Sequence, residues 1–76
     1  MPTREDVQAE FSAFVEENRA ALSRYGYLLT GRASSVDDLV QEALVKTYLN
    51  WGRIAPGRAL AFTRKVMANQ CTDWWR

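Results

Sequence analysis

The chain contains no histidine, one cysteine and only two prolines in 76 residues. With Cys71 alone and no imidazole, neither a zinc cluster nor a nucleophile paired with a base can be built, so no enzyme, metal or cofactor is expected. One cysteine also excludes an internal disulfide; lying on an apolar helical face, Cys71 is expected to be a buried free thiol. No apolar run approaches the roughly 20 residues needed to cross a bilayer. The amino terminus, with Thr3, Arg4, Glu5 and Asp6, lacks the basic lead into an apolar stretch that marks a secretion signal. A cytoplasmic chain without membrane contact is expected.

What is present is a globular composition, with 47% hydrophobic and 25% charged residues. A chain of this length makes one domain and buries only about 60% of its unfolded surface, so modest stability is expected. The net charge of +1 conceals an asymmetry. Residues 1–50 carry five basic and eight acidic side chains, a net of −3, whereas residues 51–76 carry five basic and one acidic, a net of +4. A polyanion would meet the last third.

Hydrophobic spacing predicts an all-α, compact three-helix domain, with helices over about residues 4–30, 35–51 and 58–76. Thr3 and Asp6 have the spacing of a capping box. Behind them Val7, Phe11, Phe14, Ala21, Tyr25 and Leu28 form a stripe that Val15, Leu22 and Leu29 widen, with Asn18 at its edge and Glu16, Glu17 and Arg19 facing water. A bend is expected near Gly26, where a missing Cβ weakens a helix by about 1 kcal/mol. Gly31 suits the left-handed position that ends a helix. Ser34 or Ser35 is the expected cap of the second helix, with Asp37 and Asp38 in its first turn near the positive end of the dipole.

The second helix has two unlike faces. Val36, Val40, Ala43, Leu44, Thr47 and Trp51 cluster on one side at 100° per residue, the pattern of a core. Opposite stand Asp38, Gln41, Glu42, Val45 and Leu49, a mixture of hydrogen-bonding heads and branched aliphatics suited to helix-on-helix recognition. A water-facing stripe with two incidental aliphatics has the same pattern. Residues 53–58, with Arg53, Ile54, Pro56, Gly57 and Arg58, break regular structure and bring two arginines and an exposed aliphatic to the basic third. In the third helix Leu60, Thr63, Met67, Cys71 and Trp74 take one side, with Gln70 beside them. Arg58, Phe62, Lys65, Asn69, Thr72, Asp73 and Arg76 take the other. Cations hold phosphates, an amide reads base edges and an aromatic stacks on an unpaired base; a solvated polar face with one exposed Phe is the plain alternative.

The run Asp38-Leu39-Val40-Gln41-Glu42-Ala43 resembles the polymerase-binding helix of bacterial RNA polymerase sigma factors. The resemblance implies that Asp38, Gln41 and Glu42 contact the clamp coiled coil of the polymerase β′ subunit, with Val45 and Leu49 on the same face and Leu44 and Tyr48 at flanking positions. The run from Ala61 to Arg76 is similar to the promoter-recognition helix of the extracytoplasmic-function members, where an aromatic, a basic residue and an Asn are spaced as Phe62, Lys65 and Asn69 are here. Thr30-Gly31 before the first motif, and the closing Asp73-Trp74-Trp75-Arg76, look most like actinobacterial members. This chain has Thr63 and Arg64 where many relatives have an aliphatic and an aromatic.

By that resemblance the fold is sigma region 2. The loop from Arg53 to Arg58, with Ile54, takes a flipped base from the non-template strand of the minus-ten promoter element, Asn69 contacts a neighbouring base, and Phe62 and Lys65 complete the pattern. By charge, Arg64 is expected to attract the DNA backbone with Arg53, Arg58 and Lys65. The partners implied are RNA polymerase core and promoter DNA, with an anti-sigma factor as a further occupant of Val45 and Leu49. The later helix-turn-helix domain that reads the minus-thirty-five element is expected to be absent. Two other classes stay open at this stage, a helical protein-interaction module and a small helix-turn-helix repressor. The repressor needs a turn of about 3 to 4 residues where this chain has a longer, Pro-containing loop.

Overall fold

The computed structural model describes residues 3–75. Three α-helices follow one another, α1 (Arg4–Thr30), α2 (Ala33–Leu49) and α3 (Ala59–Trp75), with a 3₁₀ turn at Trp51–Arg53 between the last two. Twenty-seven residues at about 1.5 Å each give α1 a length near 40 Å, which is the long dimension of the molecule, 40 × 22 × 17 Å. The two shorter helices pack against it and each other, and α2, packed against both neighbours, holds the centre. The all-α, three-helix architecture is the one the spacing predicts. Arg76, assigned to the end of the third helix, lies outside the described residues. Among the described residues no helix is long and apolar enough to cross a membrane.

The first helix opens as expected. Thr3 Oγ1 accepts from the Asp6 N–H and Asp6 Oδ2 accepts from the Thr3 N–H, both at 3.1 Å, so two of the orphan donors of the first turn are satisfied reciprocally. At the other end Gly31 takes φ 68° and its N–H bonds the Tyr27 carbonyl, the left-handed stop that only a residue without Cβ adopts at little cost.

Several expectations need correction. Gly26 does not interrupt α1, which is continuous from Arg4 to Thr30. A Cβ there would lie 3.2 Å from Val36 Cγ1 and 3.3 Å from Met67 Cε, so this glycine leaves room for side chains of both other helices. Leu28 is 81% exposed. It continues the seven-residue steps Val7, Phe14, Ala21, and each such step drifts about 20° on a straight helix; Phe14 is buried, Ala21 half-buried and Leu28 outside.

The second helix starts at Ala33, not Ser35. Thr30 Oγ1 accepts from the Arg32 N–H at 3.1 Å and lies 3.0 Å from the Gly26 carbonyl, pulling the corner into two residues. Arg32, extended at φ −133° and ψ 114°, is therefore the cap and makes no side-chain capping bond. Ser34 and Ser35 fall inside the first turn, and Asp37 and Asp38 beyond it. The helix ends at Leu49, which hands Trp51 to the 3₁₀ turn. Trp74, expected on the inner side of α3, is 42% exposed.

The core is built from Phe14, Leu22, Val36, Leu39, Val40, Ala43, Leu44 and Met67. Leu39 is fully buried, although the stripe drawn from sequence omitted it; it lies only about 60° from Val36 on the wheel. Cys71 is buried and free, its thiol 3.5 Å from the Leu29 carbonyl. One polar pair crosses the core. Thr47 and Thr63, both fully buried, bring their hydroxyl oxygens to 2.7 Å across α2 and α3.

Candidate functional site

Burying Val36, Leu39, Val40, Ala43, Leu44 and Thr47 leaves one way for the rest of α2 to point. Asp38, Gln41, Glu42, Val45 and Leu49 are all exposed, with Val45 at 51% and Leu49 at 74%. Tyr48 is half-buried, its ring edge-on to Phe11 with centroids 5.0 Å apart. Leu44 is in the core, as the wheel placed it. Between this face and α1 runs an open cleft of about 510 Å³, bordered by Gln41, Val45 and Tyr48 on one side and Phe11, Ser12 and Arg19 on the other. The outer face of α2 is thus a ridge with two acids at its head, aliphatics towards its tail and a groove alongside.

At the tail of the ridge the chain turns sharply. Asn50 sits at φ −108° and ψ 10°, its N–H shared between the Lys46 and Thr47 carbonyls and its own carbonyl accepting from the Arg53 N–H at 2.9 Å. Trp51 opens the 3₁₀ turn and is held from the far side. Its Nε1–H donates to Glu10 Oε2 at 3.1 Å, and its ring lies 5.4 Å from Phe11, nearly perpendicular, and 5.5 Å from Phe14. Edge-to-face pairs of this kind are favoured by the ring quadrupoles, so the turn is tied to α1 by three side chains. Gly57, at φ 81°, reverses the chain, and the Phe62 N–H bonds the Arg58 carbonyl as α3 begins.

This turn and the first two turns of α3 border an open cleft of about 390 Å³, lined by Asn50, Arg53, Ile54, Ala55, Arg58, Ala61, Phe62 and Lys65. Its size lies within the range that takes small aromatic ligands, roughly 300 to 1,000 Å³. Five residues singled out from sequence meet here, namely Arg53, Ile54, Arg58, Phe62 and Lys65. Phe62 and Ile54 are half-buried and supply the apolar wall, so Ile54 is less exposed than expected; the three cations stand exposed around it. Cationic groups around an apolar, aromatic wall suit a flat ring attached to a phosphate.

Asn69 is exposed one turn beyond Lys65 on the same face. Arg64 is not brought to the cleft. Two residues from Phe62 means about 200° around the helix, and its guanidinium lies 5.5 Å over the Tyr25 ring on the α1 side.

Ridge and cleft are joined through the middle of the fold. The Thr47 hydroxyl is 2.8 Å from the Ala43 carbonyl, the Thr63 hydroxyl 2.8 Å from the Ala59 carbonyl, and the two hydroxyls 2.7 Å from each other. Two protons serve three contacts, so one hydroxyl donates to the other while the second donates to its own helix. Lys46 Nζ adds a bond to Gln70 Oε1 at 3.2 Å. These contacts set how α3 lies against α2, and with it the position of Phe62 and Lys65 relative to the ridge.

Sequence reasoning missed Asn50 and Ala61 as cleft residues, and missed Glu10 as the anchor of Trp51. With the second helix extended to residue 51, Asn50 counted as interior; the turn preference of Asn beside Gly52 was the available signal. Nothing local could have paired Glu10 with Trp51 across 41 positions.

The family description sigma-70 region 2 matches residues 14–76. Among curated relatives, the RNA polymerase sigma-E factor of Streptomyces avermitilis is 43% identical over 68 residues, covering 88% of this chain and 38% of that protein. The proteins of the same name from Streptomyces coelicolor and Streptomyces antibioticus are 40% and 41% identical over the same length and shares. The chain thus spans less than two fifths of the length of these relatives. No solved structure matches it. With a family match over residues 14–76 and relatives 40–43% identical over 88% of its length, the chain belongs to the sigma-70 region 2 family, on the extracytoplasmic-function, actinobacterial side that its motifs resemble.

Proposed function

We propose that this domain works in transcription initiation by binding two things at once. The α2 ridge of Asp38, Gln41, Glu42, Val45 and Leu49, with Tyr48 at its edge, docks on the β′ clamp coiled coil of RNA polymerase. The cleft at the ridge's tail then receives a base of the non-template strand of the minus-ten element, turned out of the stack. Arg53, Arg58 and Lys65 hold the flanking phosphates, Phe62 and Ile54 pack on the base, and Asn69 meets its neighbour. Arg64 contributes charge to the DNA side only at longer range. An anti-sigma factor that covered Val45 and Leu49 would compete directly with polymerase.

The observation that carries this reading is the convergence of Arg53, Ile54, Arg58, Phe62 and Lys65 on one cleft at the end of the helix that exposes the acidic ridge. Unstacking a base costs a few kcal/mol, so the cleft favours strands already open, and its three cations make binding salt-dependent. The test is a titration of the protein with non-template single strands randomised over the minus-ten positions, in wild type and Asn69→Ala. A defined base preference that changes in the variant, with polymerase capture retained, is the expected result. Tight, salt-insensitive binding to duplex minus-ten DNA would refute the mechanism.

A further inference from the structure

The cleft beside Phe62 has an uneven set of hydrogen-bonding groups. Arg53, Arg58 and Lys65 can only donate. The one uncharged polar side chain on its wall is Asn50, and it is not free to present either end. Its Nδ2 lies 2.8 Å from the Lys46 carbonyl oxygen. A carbonyl oxygen only accepts, so the amide nitrogen must face Lys46 and the amide orientation follows from chemistry. The backbone of Asn50 is held as well, by its N–H to Lys46 and Thr47 and by its carbonyl to Arg53. What Asn50 offers is a fixed acceptor, Oδ1, on a wall where every other side-chain polar group is a donor.

We infer that Asn50 is a specificity-determining residue of this cleft, whose Oδ1 accepts from the exocyclic amino group of a captured base and so selects an amino-bearing base over thymine or uracil. A keto oxygen at the same place would set two acceptors against each other, and once the base covers them both lose water without gaining a donor. The preference therefore comes as much from rejecting the keto base as from binding the amino base. The inference rests on the reading of the cleft as a base pocket, and the test separates the two.

The probes are an oligodeoxycytidine and an oligodeoxyuridine of equal length, at slightly alkaline pH where cytosine N3 is unprotonated. They carry equal phosphate charge and no methyl group, and differ in the amino and keto pattern of the base edge. Fluorescence anisotropy with the whole 76-residue chain should show the cytidine strand bound roughly five-fold more tightly, the scale of one hydrogen bond. Asn50→Ala should abolish the difference, weakening the cytidine strand and strengthening the uridine strand until the two bind alike. Its helix content is checked by circular dichroism, and φ −108° suits Ala without strain. A preference that survives Asn50→Ala overturns the inference. Equal binding of both strands by the wild type, with Phe62→Ala weakening both, overturns the role of Asn50 and leaves the pocket standing. Binding unaffected by Phe62→Ala removes the pocket, and the inference with it.

Discussion

The Thr47 and Thr63 hydroxyls offer a quantitative test of how the two faces are held together. Their oxygens are 2.7 Å apart in a fully buried setting, and each is also 2.8 Å from a carbonyl of its own helix. Two protons make two bonds at any instant. Thr63→Val removes one of them and leaves Thr47 donating to the Ala43 carbonyl, so no hydroxyl proton is stranded. The loss is one net hydrogen bond, about 1 kcal/mol, and Thr47→Val is equivalent by symmetry. Each single variant also leaves the remaining hydroxyl oxygen in the interior with no donor aimed at it; replacing both with valines of similar shape removes that oxygen too, so the double change is close to neutral.

The double variant should therefore be destabilised by less than the sum of the singles, with an interaction energy of about 1 kcal/mol or more. Urea titrations read by tryptophan fluorescence give the numbers, since Trp51 sits among Phe11 and Phe14 and changes environment on unfolding. An unchanged slope with denaturant would confirm that the native state is intact. In a domain this small 1 kcal/mol corresponds to roughly 4 to 8 °C in Tm, well within thermal resolution. If the two single effects add to within about 0.3 kcal/mol, the hydroxyls do not bond each other and the joint between ridge and cleft has been misread.

Other outcomes are expected from the same geometry. Leu39→Ala, at a fully buried position, should cost about 2 to 5 kcal/mol and leave the domain largely unfolded in a thermal melt; a loss under 1 kcal/mol would mean that the core is not centred on α2. Glu42→Lys reverses a charge on the exposed ridge without touching the core, so it should leave Tm nearly unchanged while polymerase retention in a pull-down falls about ten-fold or more; unimpaired retention would count against the ridge. Phe62→Ala should reduce single-strand affinity by about 1 to 3 kcal/mol, the usual worth of one base stacked on an aromatic ring, with helix content preserved.

Most of the fold can be read locally. The Thr3 and Asp6 cap, the Gly31 stop and the burial of Val36, Val40, Ala43 and Thr47 follow from neighbours within a turn or two. Errors arose where the deciding contact is distant or the pattern is regular to the eye. Gly26 reads as a weak point until Val36 and Met67 are seen against it. Leu28 fits a seven-residue repeat that a straight helix does not sustain. Ser34 and Ser35 are ordinary caps for a helix that starts two residues later than this one, because the Thr30 hydroxyl tightens the corner.

The site divides the same way. The ridge is visible on a helical wheel, whereas the enclosure of Arg53, Ile54, Arg58, Phe62 and Lys65 needed a family pattern to be expected. Arg64 was grouped with them by charge, and its place over Tyr25 depends on how α3 rolls against α1.

Glu10 and Phe11 stand upstream of the region where the family match begins, at residue 14, yet they steady the indole from which the 3₁₀ turn departs. A version trimmed to start at Phe14 would lose the Glu10 and Phe11 holds on that indole and slacken the turn bordering the cleft. The leading three turns of α1 thus behave as a brace for a recess built some forty positions downstream; under the function proposed above, sequence drift there would loosen discrimination between nucleotides.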